Sequence, residues 1–171
     1  MADKDIKPDK KKAAVCGLFC QSCSIYIGTM EEPRRLERIA RAMDQTEDET
    51  RCEGCRSLVR TSYCKTCKMY ACAEAKGIDF CVQCSDYPCH EITTFQSILP
   101  HRLELWQSQE RIREAGWEQW YKEKSVHYSC PQCGMLNSAY DKACRKCGAV
   151  PSCEYVKVNE KGIAERMPKR G

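Results

Sequence analysis

The stretch from Cys64 to Cys89 constrains this chain more than any other. It reads Cys64-Lys-Thr-Cys67-Lys-Met-Tyr-Ala-Cys72 and, eight residues later, Cys81-Val-Gln-Cys84-Ser-Asp-Tyr-Pro-Cys89. Both halves are C-x2-C-x4-C, with Tyr70 and Tyr87 at the same position in each. Thiols spaced two apart reach one ion together, because the intervening turn aims both sulfurs at a common point. A disulfide framework or a set of buried free cysteines would be the other uses of so many thiols, so the decision rests on compartment and on what else holds the chain together.

Apolar burial alone does not suffice. Leu, Ile, Val and Phe number 7, 9, 7 and 3 in 171 residues, about 15%, below the level at which an ordinary composition builds a good core. Charged residues reach 30%, yet the formal net charge is only +4, so charge-driven disorder is not the better answer. Structural zinc supplies about 10–16 kcal/mol of apparent binding energy in small peptides, enough to replace missing apolar contacts. Met1 to Lys12 carries five Lys and three Asp and no apolar stretch, unlike a secretory signal. No run is long enough to cross a bilayer. The expectation is a cytoplasmic protein without a membrane partner, where thiols stay reduced and cysteine pairs serve metal or redox chemistry.

The basic balance is deceptive. A four-thiolate zinc site carries a net charge of about −2. Three such sites would turn the formal +4 into a sum of about −2. The charge is therefore no argument for a nucleic-acid partner, and a protein partner is the expectation.

Taken in order, residues 1–13 read as a solvated, disordered tail. Cys16, Cys20 and Cys23 follow in a C-x3-C-x2-C spacing. That spacing matches the loop with which radical S-adenosylmethionine enzymes hold a four-iron cluster, but the chain lacks the alternating strands and helices such an enzyme needs. On a helix the same spacing puts three sulfurs on one face. Residues 31–43 form the clearest helix, with Pro33 in its first turn and an apolar stripe of Leu36, Ile39, Ala40 and Met43; its arginines read as a solvated face. Cys52-Glu-Gly54-Cys55 is a tight metal knuckle. Lys68 to Lys76 has helical composition with Gly77 as its cap. Pro88 opens another helix, running through Ile92, Phe95 and Ile98 until Pro100, and His90 reads as a surface residue. Residues 101–125 read as one or two helices broken at Gly116. Trp106, Trp117 and Trp120 lie there and could stack on bases, but at helical spacing they read as core.

The combination Cys16-Gly-Leu-x-Cys20-x-x-Cys23, Cys52-x-Gly-Cys55, Cys72-Ala-x-x-Lys76-Gly77 and Phe80-Cys81-x-x-Cys84-x-x-Tyr-Pro88-Cys89 resembles a prokaryotic cysteine-rich family of unknown function, found in anaerobic bacteria and archaea especially. The resemblance spans roughly residues 14–125, with Cys64 and Cys67 as an extra pair beside the pattern. It implies a cytoplasmic metal-binding module and no particular reaction.

Near the C-terminus, Cys130-Pro-Gln-Cys133-Gly134 and Cys144-Arg-Lys-Cys147-Gly148 are two knuckles ten residues apart. They resemble a zinc ribbon or the related rubredoxin pair; the second knuckle lacks the Cys-Pro usual in the latter, which favours zinc over iron. Four sulfurs close the coordination shell and leave no open position for catalysis. Cys153 lies beyond this set, and residues 159–171 read as a basic tail.

The expected fold is a small metal-stabilised α-rich N-terminal module (residues 14–100) with cysteine knuckles, then an aromatic helical segment (101–125) packed on it and a C-terminal β zinc ribbon (126–158). Eleven cysteines fall in the first module: Cys16, Cys20, Cys23, Cys52, Cys55, Cys64, Cys67, Cys72, Cys81, Cys84 and Cys89. Spacing does not fix their partners, although analogy with ribbons favours joining Cys64/Cys67 to Cys81/Cys84. His90, His101 and His127 stand in no catalytic motif, and no Gly-rich phosphate loop occurs. The leading expectation is therefore a multi-site zinc protein acting as a non-enzymatic interaction or adaptor module. The alternative is a four-iron–four-sulfur redox or accessory protein centred on Cys16, Cys20 and Cys23.

Overall fold

The computed structural model describes residues 6–96 and 99–167. Helices carry the architecture, in the order α1 (Ser24–Met30), α2 (Pro33–Ala42), α3 (Glu47–Thr50), α4 (Ser62–Lys65), α5 (Lys68–Lys76), α6 (His90–Gln96), α7 (Leu105–Ala115), α8 (Trp117–His127), α9 (Glu154–Val158) and α10 (Glu160–Arg166). None of these helices is long and apolar enough to cross a membrane.

The expected C-terminal β ribbon is absent. Among the described residues β pairing is limited to two isolated bridges, Ala13–Phe19 and Ser129–Leu136. The cause is local. Each knuckle closes on itself within six residues, Cys130 N–H donating to Met135 O and Cys144 N–H to Ala149 O, both at 2.8 Å. Beyond the second knuckle, one bond from Ser152 N–H to Lys142 O is made before α9 begins. Too little extended chain is left to form a ladder.

Several helices lie where composition and capping put them. α2 starts at Pro33 and buries Leu36 and Ala40. α5 runs from Lys68 to Lys76 and ends at Gly77. Gly116 separates α7 from α8. Ile98 lies outside the described residues. The chain ends differ from the sequence reading. Within the expected N-terminal tail, Lys10–Lys12 forms a short 3-10 turn and Ala13 is fully buried. Within the expected basic tail, α10 buries Ile163.

Scarce aliphatics are compensated by aromatics. Phe19, between two cysteines, meets the ring of Tyr121 edge-on at 5.1 Å and that of Trp120 at 6.2 Å, and it stacks on Tyr128 at 5.9 Å. Tyr128 stacks in turn on Tyr155 at 4.6 Å. Each such pair adds about 0.5–1.5 kcal/mol beyond the area it buries. Trp120 and Tyr121 thus serve as core. This cluster draws on both ends of the chain, including Val156 and Ile163.

A polar seam joins the α1–α2 turn to the second C-terminal knuckle. Arg145 reaches Glu31 at 2.5 Å and Glu32 at 2.8 Å, and Arg35 reaches Asp141 at 2.9 Å. Arg35 therefore departs from the solvated face expected for α2, its side chain being only 12% exposed.

Candidate metal centres

Cys130, Cys133, Cys144 and Cys147 converge, all four sulfurs lying within 4.8 Å of one another. The Cys130–Cys147 and Cys133–Cys144 separations are both 3.6 Å. A tetrahedron with metal–sulfur bonds of about 2.3 Å has edges of about 3.8 Å, so the group could hold a single metal ion. Its two halves are built alike. Gly134 N–H and Gly148 N–H donate to Cys130 O and Cys144 O, both at 2.9 Å. Both glycines sit at positive φ, 70° and 75°, which a side chain would strain.

Electrostatics divide the thiols of this centre: the Ala149 N–H works against burial and the Cys133, Cys130 and Cys144 thiols at Cys147, which is raised to about 12, while Cys144 is lowered. Burial pushes the Cys144 thiol up, but the N–H groups of Cys147 and Lys146 and the neighbouring Cys133 and Cys130 thiols outweigh it and bring the group to about 6. Asn137, fully buried, holds the two knuckles together. Its Nδ2 donates to Met135 O at 2.8 Å and Ser152 O at 3.1 Å, and its Oδ1 accepts from Arg145 N–H at 3.0 Å. Nδ2 also lies 3.8 Å from the Cys144 sulfur.

The N-terminal cysteines are arranged differently. Among the described residues no three of them lie within 4.8 Å of one another, the spacing the C-terminal set achieves. Yet Cys16, Cys20, Cys55, Cys67, Cys81 and Cys89 all pack into a single apolar cluster with Val15, Met69, Ile92 and Leu105. Within it, burial and then the thiols of Cys55, Cys81 and Cys67 push Cys16 well above the usual range. Burial, then Cys89 and Cys67, raises Cys81 to about 12. A second neighbourhood sits beside the first. Cys20 is raised by burial, Cys55, Cys23 and Cys52, and Cys52 is raised to about 12 by burial, Cys23 and Cys64. A metal cation reverses this balance, since it binds thiolates and offsets their repulsion.

Cys67 neighbours Cys16 and Cys81, and Cys64 neighbours Cys23 and Cys52, while Cys55 adjoins both Cys64 and Cys67. Cys72 is exposed. Cys84 accepts from Lys76 Nζ at 3.0 Å, and that ammonium, with Asp86 N–H, lowers its pKa. His90 is exposed. His101, bonded through Nδ1 to Tyr140 Oη at 2.8 Å, is pushed down to about 4 by burial and by Arg102.

Two residues that position the N-terminal thiols carry no motif. Gln109, fully buried on α7, accepts from Val82 N–H at 2.8 Å and donates to Val15 O at 3.2 Å. Val15 O also accepts from Cys81 N–H at 2.8 Å, so the residues flanking Cys16 and Cys81 are tied to one point. Gly17, at φ 86°, leaves space for that amide, since a Cβ there would lie 2.9 Å from Gln109 Nε2. The one available sequence signal was a Gln in the stripe Leu105, Gln109, Ile112. The second residue is Arg60, stacked 4.3 Å above the Tyr70 ring. Its Nε and Nη1 are buried without a hydrogen-bond partner among the described residues.

Comparison with known proteins adds one relationship. Residues 12–94 match the family described as a protein of unknown function, DUF3795. This match covers the N-terminal thiols and stops before Gln109 and the C-terminal centre. No match is found among curated proteins or solved structures.

Proposed function

We propose that this is a cytoplasmic, multi-site metal–thiolate protein whose C-terminal centre takes zinc, and that it acts by presenting surfaces to a protein partner and not by catalysis. The observation that carries this reading is the convergence of Cys130, Cys133, Cys144 and Cys147 at tetrahedral spacing. Four thiolates fill the shell of a zinc ion and leave no site for substrate or water, which makes the role structural. Zinc there replaces aliphatic core that the composition does not supply. A partner surface is suggested by the loop between the Cys52/Cys55 and Cys64/Cys67 knuckles, where Leu58 is 99% exposed and borders a shallow depression with Arg51, Val59 and Lys65.

Elemental analysis of the intact protein and of Cys147→Ser tests the reading. Wild type should contain zinc, and the variant should lose one equivalent. Wild-type protein that contained no zinc, or a variant with unchanged zinc content, would remove the basis for it.

A further inference from the structure

We propose that Cys16, Cys55, Cys67 and Cys81 together ligate a four-iron–four-sulfur cluster inside the N-terminal apolar cluster. The inference rests on the metal–thiolate reading above and assigns one ligand set and one cofactor class to the first module. Three observations converge on it.

The first is convergence. The four cysteines come from four separate segments, and all of them pack against Val15, Met69 and Leu105 in one cluster. Each is an electrostatic neighbour of at least two others, Cys16 of Cys55, Cys67 and Cys81, Cys55 of Cys67, and Cys67 of Cys81, with Cys64 also beside Cys55 and Cys89 beside Cys81. The backbone fixes this meeting point through Val15. Its carbonyl receives Cys81 N–H at 2.8 Å, and Val15 itself precedes Cys16 in the chain.

Spacing is the second. In the same molecule a single-ion set is drawn at 3.6 Å, whereas no three N-terminal sulfurs among the described residues fall within 4.8 Å of one another. Cysteines that bind a cubane attach to different iron atoms, at separate corners, and stand farther apart than ligands sharing one ion. Convergence without contact is what that cofactor requires.

Charge is the third. An oxidised cubane with four thiolates carries a net negative charge of about −2. Arg56 follows Cys55 directly in the chain, its guanidinium 5.2 Å from the ring of buried Phe80. Arg60, over Tyr70 of the same apolar cluster, keeps two buried donors with no acceptor among the described residues. Buried donors without partners are rare in folded chains, and an anionic cluster supplies the missing acceptor.

The test uses full-length protein purified without oxygen, then incubated with ferric iron, sulfide and a thiol reductant, which supplies the two electrons each cluster takes up. Bound iron, acid-labile sulfide and visible absorption are measured, with zinc content as the control for folding of the C-terminal centre. Wild type should turn brown and hold about four iron and four sulfide with its zinc retained. Cys55→Ala and Cys67→Ala should lose the colour and keep the zinc, while Cys72→Ala should stay brown. Arg60→Met should keep the cluster but lower its reduction potential, because an added electron loses a nearby cation. A colourless wild type with its C-terminal zinc in place would overturn this proposal and leave the zinc reading standing. Colour that survives both Cys55→Ala and Cys67→Ala would refute the ligand assignment, and an unchanged potential in Arg60→Met would refute the placement of Arg60.

Discussion

Gln109 and Asn137 hold backbone groups from separate segments through their side-chain amides. Gln109→Leu would keep the bulk and strip the buried Val82 N–H of its acceptor, at a cost of about 1–3 kcal/mol. The expected result is a lower denaturant midpoint with an unchanged slope; an unaltered midpoint would show that the clamp is dispensable. Asn137→Ala removes the bonds linking Met135, Arg145 and Ser152 around the four C-terminal sulfurs. Residues that orient metal ligands typically contribute 10–100-fold in affinity. Zinc competition with a chromophoric chelator should show a loss of about that size, and equal affinity in the two proteins would count against the role. The cysteines themselves were legible because metal ligation demands a fixed residue type at fixed spacing. These two amides were not, since a buried Gln or Asn is recognised only by the backbone groups brought to it from distant segments.

At the scale of elements, α10 is where sequence and structure diverge most usefully. Residues 159–171 read as a basic tail, yet Ile163 is buried in the main aromatic cluster. Ile163→Ala should cost about 2–4 kcal/mol, read from thermal or denaturant unfolding; a change below about 0.5 kcal/mol, the range of ordinary surface substitutions, would mean that α10 is not core. The helices α2, α5, α7 and α8 were legible because each has a local start or stop signal and, in α2 and α7, a repeating apolar stripe. The β ribbon was expected by analogy with paired knuckles. It fails because knuckle turns need only their own six residues, and ladder formation depends on flanking chain that here enters turns and α9 instead.

Across the whole molecule, charge is organised inward. Glu104 receives Lys124 Nζ at 2.5 Å, Asn159 Nδ2 at 2.7 Å and His127 Nε2 at 2.9 Å, and so joins the start of α7 to α8 and to the α9–α10 turn. Burial pushes its carboxyl up, but the His127 hydrogen bond and the Lys124 charge outweigh this and hold it at about 2, against an ordinary 4.5. A depressed carboxylate stabilises the fold above its unfolded pKa and loses that contribution as pH falls towards the folded value, here worth up to about 3 kcal/mol. The stability difference between wild type and Glu104→Gln should therefore shrink between about pH 5 and pH 3; a constant difference would contradict the assignment. Arg35, Arg102 and Arg145 are likewise engaged within the protein, at Asp141, the Phe95 carbonyl and ring, and Glu31 with Glu32. With these three cations turned inward and thiolate sites loaded with metal lowering the net charge, metallated protein should bind duplex DNA or RNA weakly and lose that binding at physiological salt. Tight, salt-resistant binding in a titration at two ionic strengths would reverse the choice of a protein partner. The most direct measurement of the central claim is zinc X-ray absorption on the intact protein as purified. It should report four sulfur ligands at about 2.3 Å, with that zinc lost in Cys147→Ser; a shell containing nitrogen or oxygen would contradict a closed four-thiolate centre at Cys130, Cys133, Cys144 and Cys147.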